Sequence, residues 1–77
     1  PFNPSTKIRF TLPEMTKVTL KVYNVLGQEV ATILENKELG QGLYEYEFNG
    51  ANLTSGTYIY KLTAGNFVQT KKMVLIK

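Results

Sequence analysis

The sequence offers few side chains that could do chemistry. Its 77 residues contain no His, Cys or Asp, and all six acidic residues are Glu. Nucleophilic triads and general acid–base sites depend mostly on His or on paired carboxylates. Without His and Cys, a structural zinc site cannot be built, and without Asp an EF-hand calcium loop cannot be built either. The composition therefore predicts a protein that is not an enzyme and that binds no metal or cofactor.

Glu45 and Glu47 are the closest carboxylate pair. They alternate with Tyr44, Tyr46 and Phe48, so both point to the same face of a predicted strand, about 7 Å apart. That distance alone would suit the two carboxylates of a glycosidase. We favour the interpretation that both are solvated charges on an outer face, because acidic side chains are mostly exposed. The aromatic residues between them then face the core.

Apolar and polar residues alternate through most of the chain, which is the period of a half-buried strand. Strands are predicted near residues 7–12, 17–22, 29–34, 44–48, 58–63 and 67–77, and a loop is expected at 36–42. The face of the third segment stays open. Six or seven short strands without a helix favour an all-β fold, an immunoglobulin-like antiparallel β-sandwich. The length predicts one domain over residues 1–77, expected to be monomeric.

Leu53, Gly56 and Tyr58 have the spacing of a tyrosine corner. In this motif the Gly lets the chain turn between sheets, and the Tyr ring packs inside while its hydroxyl bonds to nearby backbone. A buried Tyr needs such a partner. We expect Tyr58 to be buried and bonded to the backbone near residues 53–55.

Charge is distributed unevenly along the chain. The net charge is +3, but residues 1–47 sum to −1, whereas residues 48–77 contain four Lys and no acidic residue. This basic half is either a solvated face or a surface that steers an acidic partner. Nucleic acid is not expected as a partner, because the chain has a single Arg and no basic stretch interleaved with stacking aromatics.

The last residues combine lysines with an apolar run. Lys71 and Lys72 precede the run 73–76, and Lys77 follows it. Four apolar residues are far fewer than the roughly 20 that span a bilayer, so no membrane span is predicted. Three interpretations stay open: a central strand buried on both faces, an edge guarded by lysines, or a strand that pairs with a partner. The candidate partner-binding residues are Lys71, Lys72, Met73, Val74, Leu75, Ile76 and Lys77.

Four segments together resemble the type A C-terminal sorting domains of type IX secretion substrates. They are residues 2–10 (Phe-Asn-Pro-Ser-Thr-Lys-Ile-Arg-Phe), 22–30 (Val-Tyr-Asn-Val-Leu-Gly-Gln-Glu-Val), 53–60 (Leu-Thr-Ser-Gly-Thr-Tyr-Ile-Tyr) and 71–77 (Lys-Lys-Met-Val-Leu-Ile-Lys). They occur in the family's order and at its spacing, so the resemblance covers essentially the whole chain. The family's usual leading Asn-Pro is incomplete here, which suggests a domain excised from a larger secreted protein, with Lys77 as its expected end.

The resemblance implies a sorting function without catalysis. Such domains follow a fused cargo that has reached the periplasm, and an outer-membrane translocon recognises the folded domain. In many members a sortase-like protease then removes it, and the cargo stays on the cell surface or is released. The resemblance thus implies two partners, the translocon and the protease.

Two other functions fit the same predicted fold. One is a structural immunoglobulin-like module similar to that of flagellar hook-capping proteins. The other is a carbohydrate-binding accessory domain of a secreted hydrolase, in which exposed Tyr rings would stack on sugars. The absence of Trp and the core-facing phase of four of the Tyr residues make the second less favoured.

Overall fold

The computed structural model describes residues 4–77, and this part of the chain contains strands and turns but no helix that could cross a membrane. The strands are β1 (Ser5–Leu12), β2 (Thr16–Asn24), β3 (Glu29–Leu39), β4 (Gly42–Asn49), β5 (Gly56–Ala64) and β6 (Phe67–Leu75). The connections are short, as alternating antiparallel strands allow.

The six strands form two antiparallel sheets. A small sheet pairs β1 with β4, and a larger sheet has the order β3-β2-β5-β6. Apolar side chains of both sheets meet in one core, which is the arrangement of a β-sandwich. The predicted all-β sandwich is confirmed.

The core follows the alternation seen in the sequence. Every second side chain of β1, β2 and β5 is buried, which gives Ile8, Phe10, Leu12, Val18, Leu20, Val22, Tyr58, Tyr60 and Leu62. Across the small sheet, the ring of Phe10 stacks on those of Tyr44 and Tyr46, with centroids 5.5 and 6.0 Å apart. The predicted inward phase of the aromatic residues in β4 is therefore present, and Glu45 and Glu47 lie on the exposed outer face.

The prediction of a loop at residues 36–42 is wrong, because β3 continues to Leu39 and only Gly40 and Gln41 separate it from β4. The register between β2 and β3 shifts three times. Asn36 has a positive φ of 48°, and its N–H donates to the Thr19 hydroxyl over 3.0 Å. Irregularities of this kind change which face the following residues occupy. Leu34 and Leu39 are consequently both buried although they lie five positions apart, a spacing that strict alternation places on opposite faces.

Candidate functional site

The connection between β4 and β5 forms the corner expected from the sequence. The hydroxyl of Tyr58 donates to the carbonyl oxygen of Thr54 over 2.7 Å, and the Tyr58 side chain is only 5% exposed. Gly56 has a φ of 155°, a conformation that side-chain-bearing residues rarely adopt. Leu53 packs against the core, and its N–H donates to the Gly50 carbonyl. The Tyr58 bond thus closes the turn that leads the chain from one sheet to the other.

The connection between β2 and β3 is organised by Asn24. Its side-chain oxygen accepts hydrogen bonds from the N–H groups of Leu26 and Gln28, at 2.9 and 3.0 Å. Its amide group donates to the side chain of Gln28, and Gly27 supplies the positive φ of 82° that the turn requires. This tight turn holds Val25 and Leu26 in solvent, 69% and 81% exposed.

These two connections lie at the same end of the sandwich as the start of β1 and the end of β6. Each strand runs opposite to its neighbour, so the chain reaches this end at Pro4, at residues 25–28, at 50–55 and at 76–77. We call this end the motif pole, because each of its four components belongs to or adjoins one of the four segments that carry the family resemblance.

Hydrogen bonds join three components of the motif pole. The N–H of Gly50 donates to the carbonyl of Pro4 over 2.7 Å. The backbone N–H of Lys77 donates to the Ser55 hydroxyl over 3.0 Å, and its ammonium donates to the carbonyl of Ala51. A groove of about 440 Å³ runs between the β2–β3 turn and residues 52–58. The first strand, the corner and the end of the chain therefore form one continuous surface.

The terminal residues divide between core and surface. β6 is an edge strand, so the interpretation of a central strand buried on both faces is wrong. Only Leu75 is fully buried, Met73 and Val74 are partly covered, and Ile76 is about half exposed beyond the end of the strand. The apolar run has no single environment, because alternate side chains face opposite sides of the sheet.

Lys71 and Lys72 are exposed on β6, and no acidic side chain pairs with them in the part of the chain that the structure describes. Lys71 lies opposite Tyr60 in the β5–β6 register, and Lys72 lies opposite Ile59. Since opposed residues share a face, Lys71 is on the core side of the edge and Lys72 on the outer side. The basic end of the chain thus presents charge on both faces of one strand.

Three acidic side chains elsewhere in the domain have basic partners. Glu45 contacts Arg9 and Lys7 on the outer face of the small sheet, and the hydrogen bond from Arg9 lowers the pKa of the Glu45 carboxyl. Lys21 contacts both Glu29 and Glu35. The hydrogen bond from Thr32, followed by that from Lys21, lowers the pKa of Glu29. The two lysines of β6 have no such partner within residues 4–77.

The sequence predicts the corner and the basic terminal strand, but it does not by itself show that the four segments meet at one pole. The signal was available in the number and order of the strands. In a chain of consecutive antiparallel strands, successive connections alternate between the two ends. The start of β1, the second and fourth connections and the end of β6 therefore lie at the same end. The sequence leaves the count open at six or seven strands, and a seventh strand would place the last boundary at the opposite end of the sandwich.

Comparison with known proteins gives one match. The whole chain, residues 1–77, matches the model of a family described as secretion system C-terminal sorting domain. No curated protein and no solved structure gives a significant match.

Proposed function

This chain belongs to the family of type IX secretion C-terminal sorting domains. We propose that it directs the export of one cargo protein fused ahead of it, and that the translocon recognises its terminal strand. Residues 1–77 form the sorting domain of this larger secreted protein. The cargo reaches the periplasm first, and the sorting domain then directs it across the outer membrane to the cell surface or the medium.

The arrangement of the motif pole is the observation that best supports this function. A sorting signal needs a surface that is recognisable only when the domain has folded. Segments far apart in sequence, such as Pro4 and Gly50 or Ser55 and Lys77, are joined here by hydrogen bonds. An unfolded chain would not present them together. The translocon can therefore distinguish a folded export substrate from an unfolded one.

The terminal residues Lys71–Lys77 supply the charged part of the recognised surface. Lys71 and Lys72 carry positive charge without acidic partners in residues 4–77, and unpaired surface charge accelerates encounter with an acidic partner. Lys77 lies on the motif pole itself. Recognition thus combines the lysines of β6 with the shape of the pole.

The cargo joins the domain at the same pole. β1 begins there at Ser5, close to Asn49 across the small sheet. A sortase-like protease that removes the domain would cut ahead of β1, where cleavage leaves the sandwich intact. The domain itself contributes no catalytic group, in keeping with a family whose members are generally non-catalytic.

Fusion to a reporter tests this function. A periplasm-directed fluorescent protein is joined ahead of residues 1–77 and expressed in a host with a working type IX system. The matched control carries the same domain ahead of the reporter. We expect the reporter outside the cell only when the domain follows it, and only when the translocon is intact. Equal retention of both fusions in the periplasm would overturn the proposal.

A further inference from the structure

The two edges of the large sheet differ in regularity. β3, at one edge, has three register shifts against β2, and the positive φ of Asn36 interrupts it. β6, at the other edge, keeps one unbroken register with β5 through nine residue pairs, from Gly56 opposite Leu75 to Ala64 opposite Phe67. Bulges are a common way in which proteins prevent an edge from pairing with another strand. Of the two edges of the large sheet, only β6 is regular enough to act as a template.

The β5–β6 turn determines which backbone groups of β6 are free. Gly65 and Asn66 form a two-residue hairpin turn, in which Gly65 has a φ of 61°. The residues flanking such a turn, Ala64 and Phe67, form a hydrogen-bonded pair, and the pattern alternates from there. Residues 68, 70, 72 and 74 therefore direct their N–H and C=O groups away from β5. They are the groups that an added strand would use.

A groove lies along the same edge. It has a volume of about 210 Å³ and lies between residues 71–74 of β6 and residues 6–8 of β1 in the facing sheet. The core-facing side chains of β6 become exposed along this side, from buried Leu75 through Met73 to Lys71. The two sheets are thus open where an added strand would enter.

The charge of this edge selects the chemistry of the added strand. Lys71 and Lys72 project from opposite faces of β6, and the last thirty residues contain no acidic side chain. A strand paired with β6 places its side chains directly opposite these lysines, where opposite charges are favourable and like charges are not. Two adjacent acidic residues in an extended segment would match one lysine on each face.

We propose that β6 binds an extended segment of a partner protein by β-strand addition, and that this segment carries two adjacent acidic residues opposite Lys71 and Lys72. The inference rests on the proposed function, since the partner is a component of the export machinery. Main-chain hydrogen bonds give the affinity in this mode, and the side-chain pairs give the specificity.

A pair of capped peptides as long as β6, nine residues, tests the proposal with the isolated 77-residue chain. One has the sequence Thr-Val-Thr-Thr-Glu-Glu-Thr-Thr-Val, and the other replaces both Glu by Lys. Binding is followed by amide chemical shifts and by amide hydrogen exchange. We expect the acidic peptide to slow exchange of the amides of residues 68, 70, 72 and 74 at least about tenfold, while the basic peptide has no effect.

Variants separate strand pairing from simple charge attraction. Thr70→Pro removes an outward N–H without changing charge, and Thr70→Val is its control. We expect Thr70→Pro to weaken binding at least about tenfold and Thr70→Val to leave it unchanged. The proposal would be overturned if the acidic peptide left amide exchange unchanged at residues 68, 70, 72 and 74 of the unmodified chain, whether it bound elsewhere or not at all. This outcome does not depend on the folding of any variant.

This outcome is independent of the export experiment. If the reporter is exported and the peptide leaves the β6 amides unprotected, the sorting function stands and strand addition is wrong. If the peptide protects those amides and the reporter is not exported, the edge binds acidic strands but the domain does not sort cargo through them.

Discussion

The hydroxyl of Tyr58 and the backbone carbonyl of Thr54 are joined by a 2.7 Å hydrogen bond that spans four residues at the entrance of β5. The bond satisfies a carbonyl next to the core and fixes the loop that carries Ala51 and Ser55, the two residues bound by Lys77. One buried hydroxyl therefore links the stability of the sandwich to the shape of the motif pole.

Replacement of Tyr58 by Phe should destabilise the domain by about 1–3 kcal/mol, because it leaves the Thr54 carbonyl without this partner in a part-buried site. The measurement is the free energy of unfolding in urea. Tyr46→Phe is the matched control, since Tyr46 is half-buried and no hydrogen bond of its hydroxyl is seen within residues 4–77. It should change the free energy by less than about 0.5 kcal/mol. Equal effects of the two substitutions would argue against the corner.

The side chain of Asn24 should stabilise the domain through the β2–β3 turn. Asn24→Ala removes the acceptor for the N–H groups of Leu26 and Gln28, and we expect a loss of about 1–2 kcal/mol of unfolding free energy for these two hydrogen bonds. Asn24→Asp keeps both acceptor bonds and loses only the donor to Gln28, so it should cost clearly less. Chemical denaturation of both variants measures their unfolding free energies. A larger loss of unfolding free energy for Asn24→Asp than for Asn24→Ala would contradict this prediction.

Acid should weaken the contact between Arg9 and Glu45 in a defined direction. The hydrogen bond from Arg9 lowers the pKa of the Glu45 carboxyl in the folded domain below its ordinary value of 4.5. Between the two pKa values the unfolded chain binds more protons, so the stabilisation is present above the ordinary value and is lost as the pH falls through the folded value.

Melting temperatures measured between about pH 6 and pH 3 test this direction. The unmodified domain should lose stability toward the acid end, and Glu45→Gln should lose less over the same interval. Arg9→Gln should also reduce the loss of stability at low pH, because it removes the group that contributes most to lowering the pKa of Glu45. Parallel curves for all three proteins would show that the contact does not contribute.

Most of the fold could be predicted from the sequence, because one physical rule dominates it. Alternation of apolar residues marks β1, β2 and β5, in which every second side chain is buried. The rule fails at β3, where the positive φ of Asn36 shifts the phase and Leu39 returns to the core. A local irregularity of this type leaves no periodic trace in the sequence.

The candidate site was predictable only in part. The corner has a local spacing, from Leu53 to Tyr58, that identifies it without any knowledge of the remaining fold. The position of β6 in the sheet has no comparable sequence signal, since an apolar run ending in Leu75 and Ile76 fits a central strand as well as an edge strand. Only the pairing of distant strands decides between them, and that depends on contacts between residues far apart in the chain.

In the proposed function, the export machinery recognises the charge of the folded terminal strand. The most direct test is the amount of reporter outside the cell when Lys71→Glu and Lys72→Glu are combined in the C-terminal fusion. The control combines Lys17→Glu and Lys37→Glu, which change the net charge equally at exposed positions of β2 and β3.

Isolated surface charges contribute only about 0–1 kcal/mol, so both double variants should keep nearly the unfolding free energy of the unmodified domain, and this is measured alongside export. We expect export to fall at least about tenfold for the β6 pair, because electrostatic recognition is lost, and to stay normal for the control pair. Normal export by a stably folded Lys71→Glu, Lys72→Glu domain would contradict it.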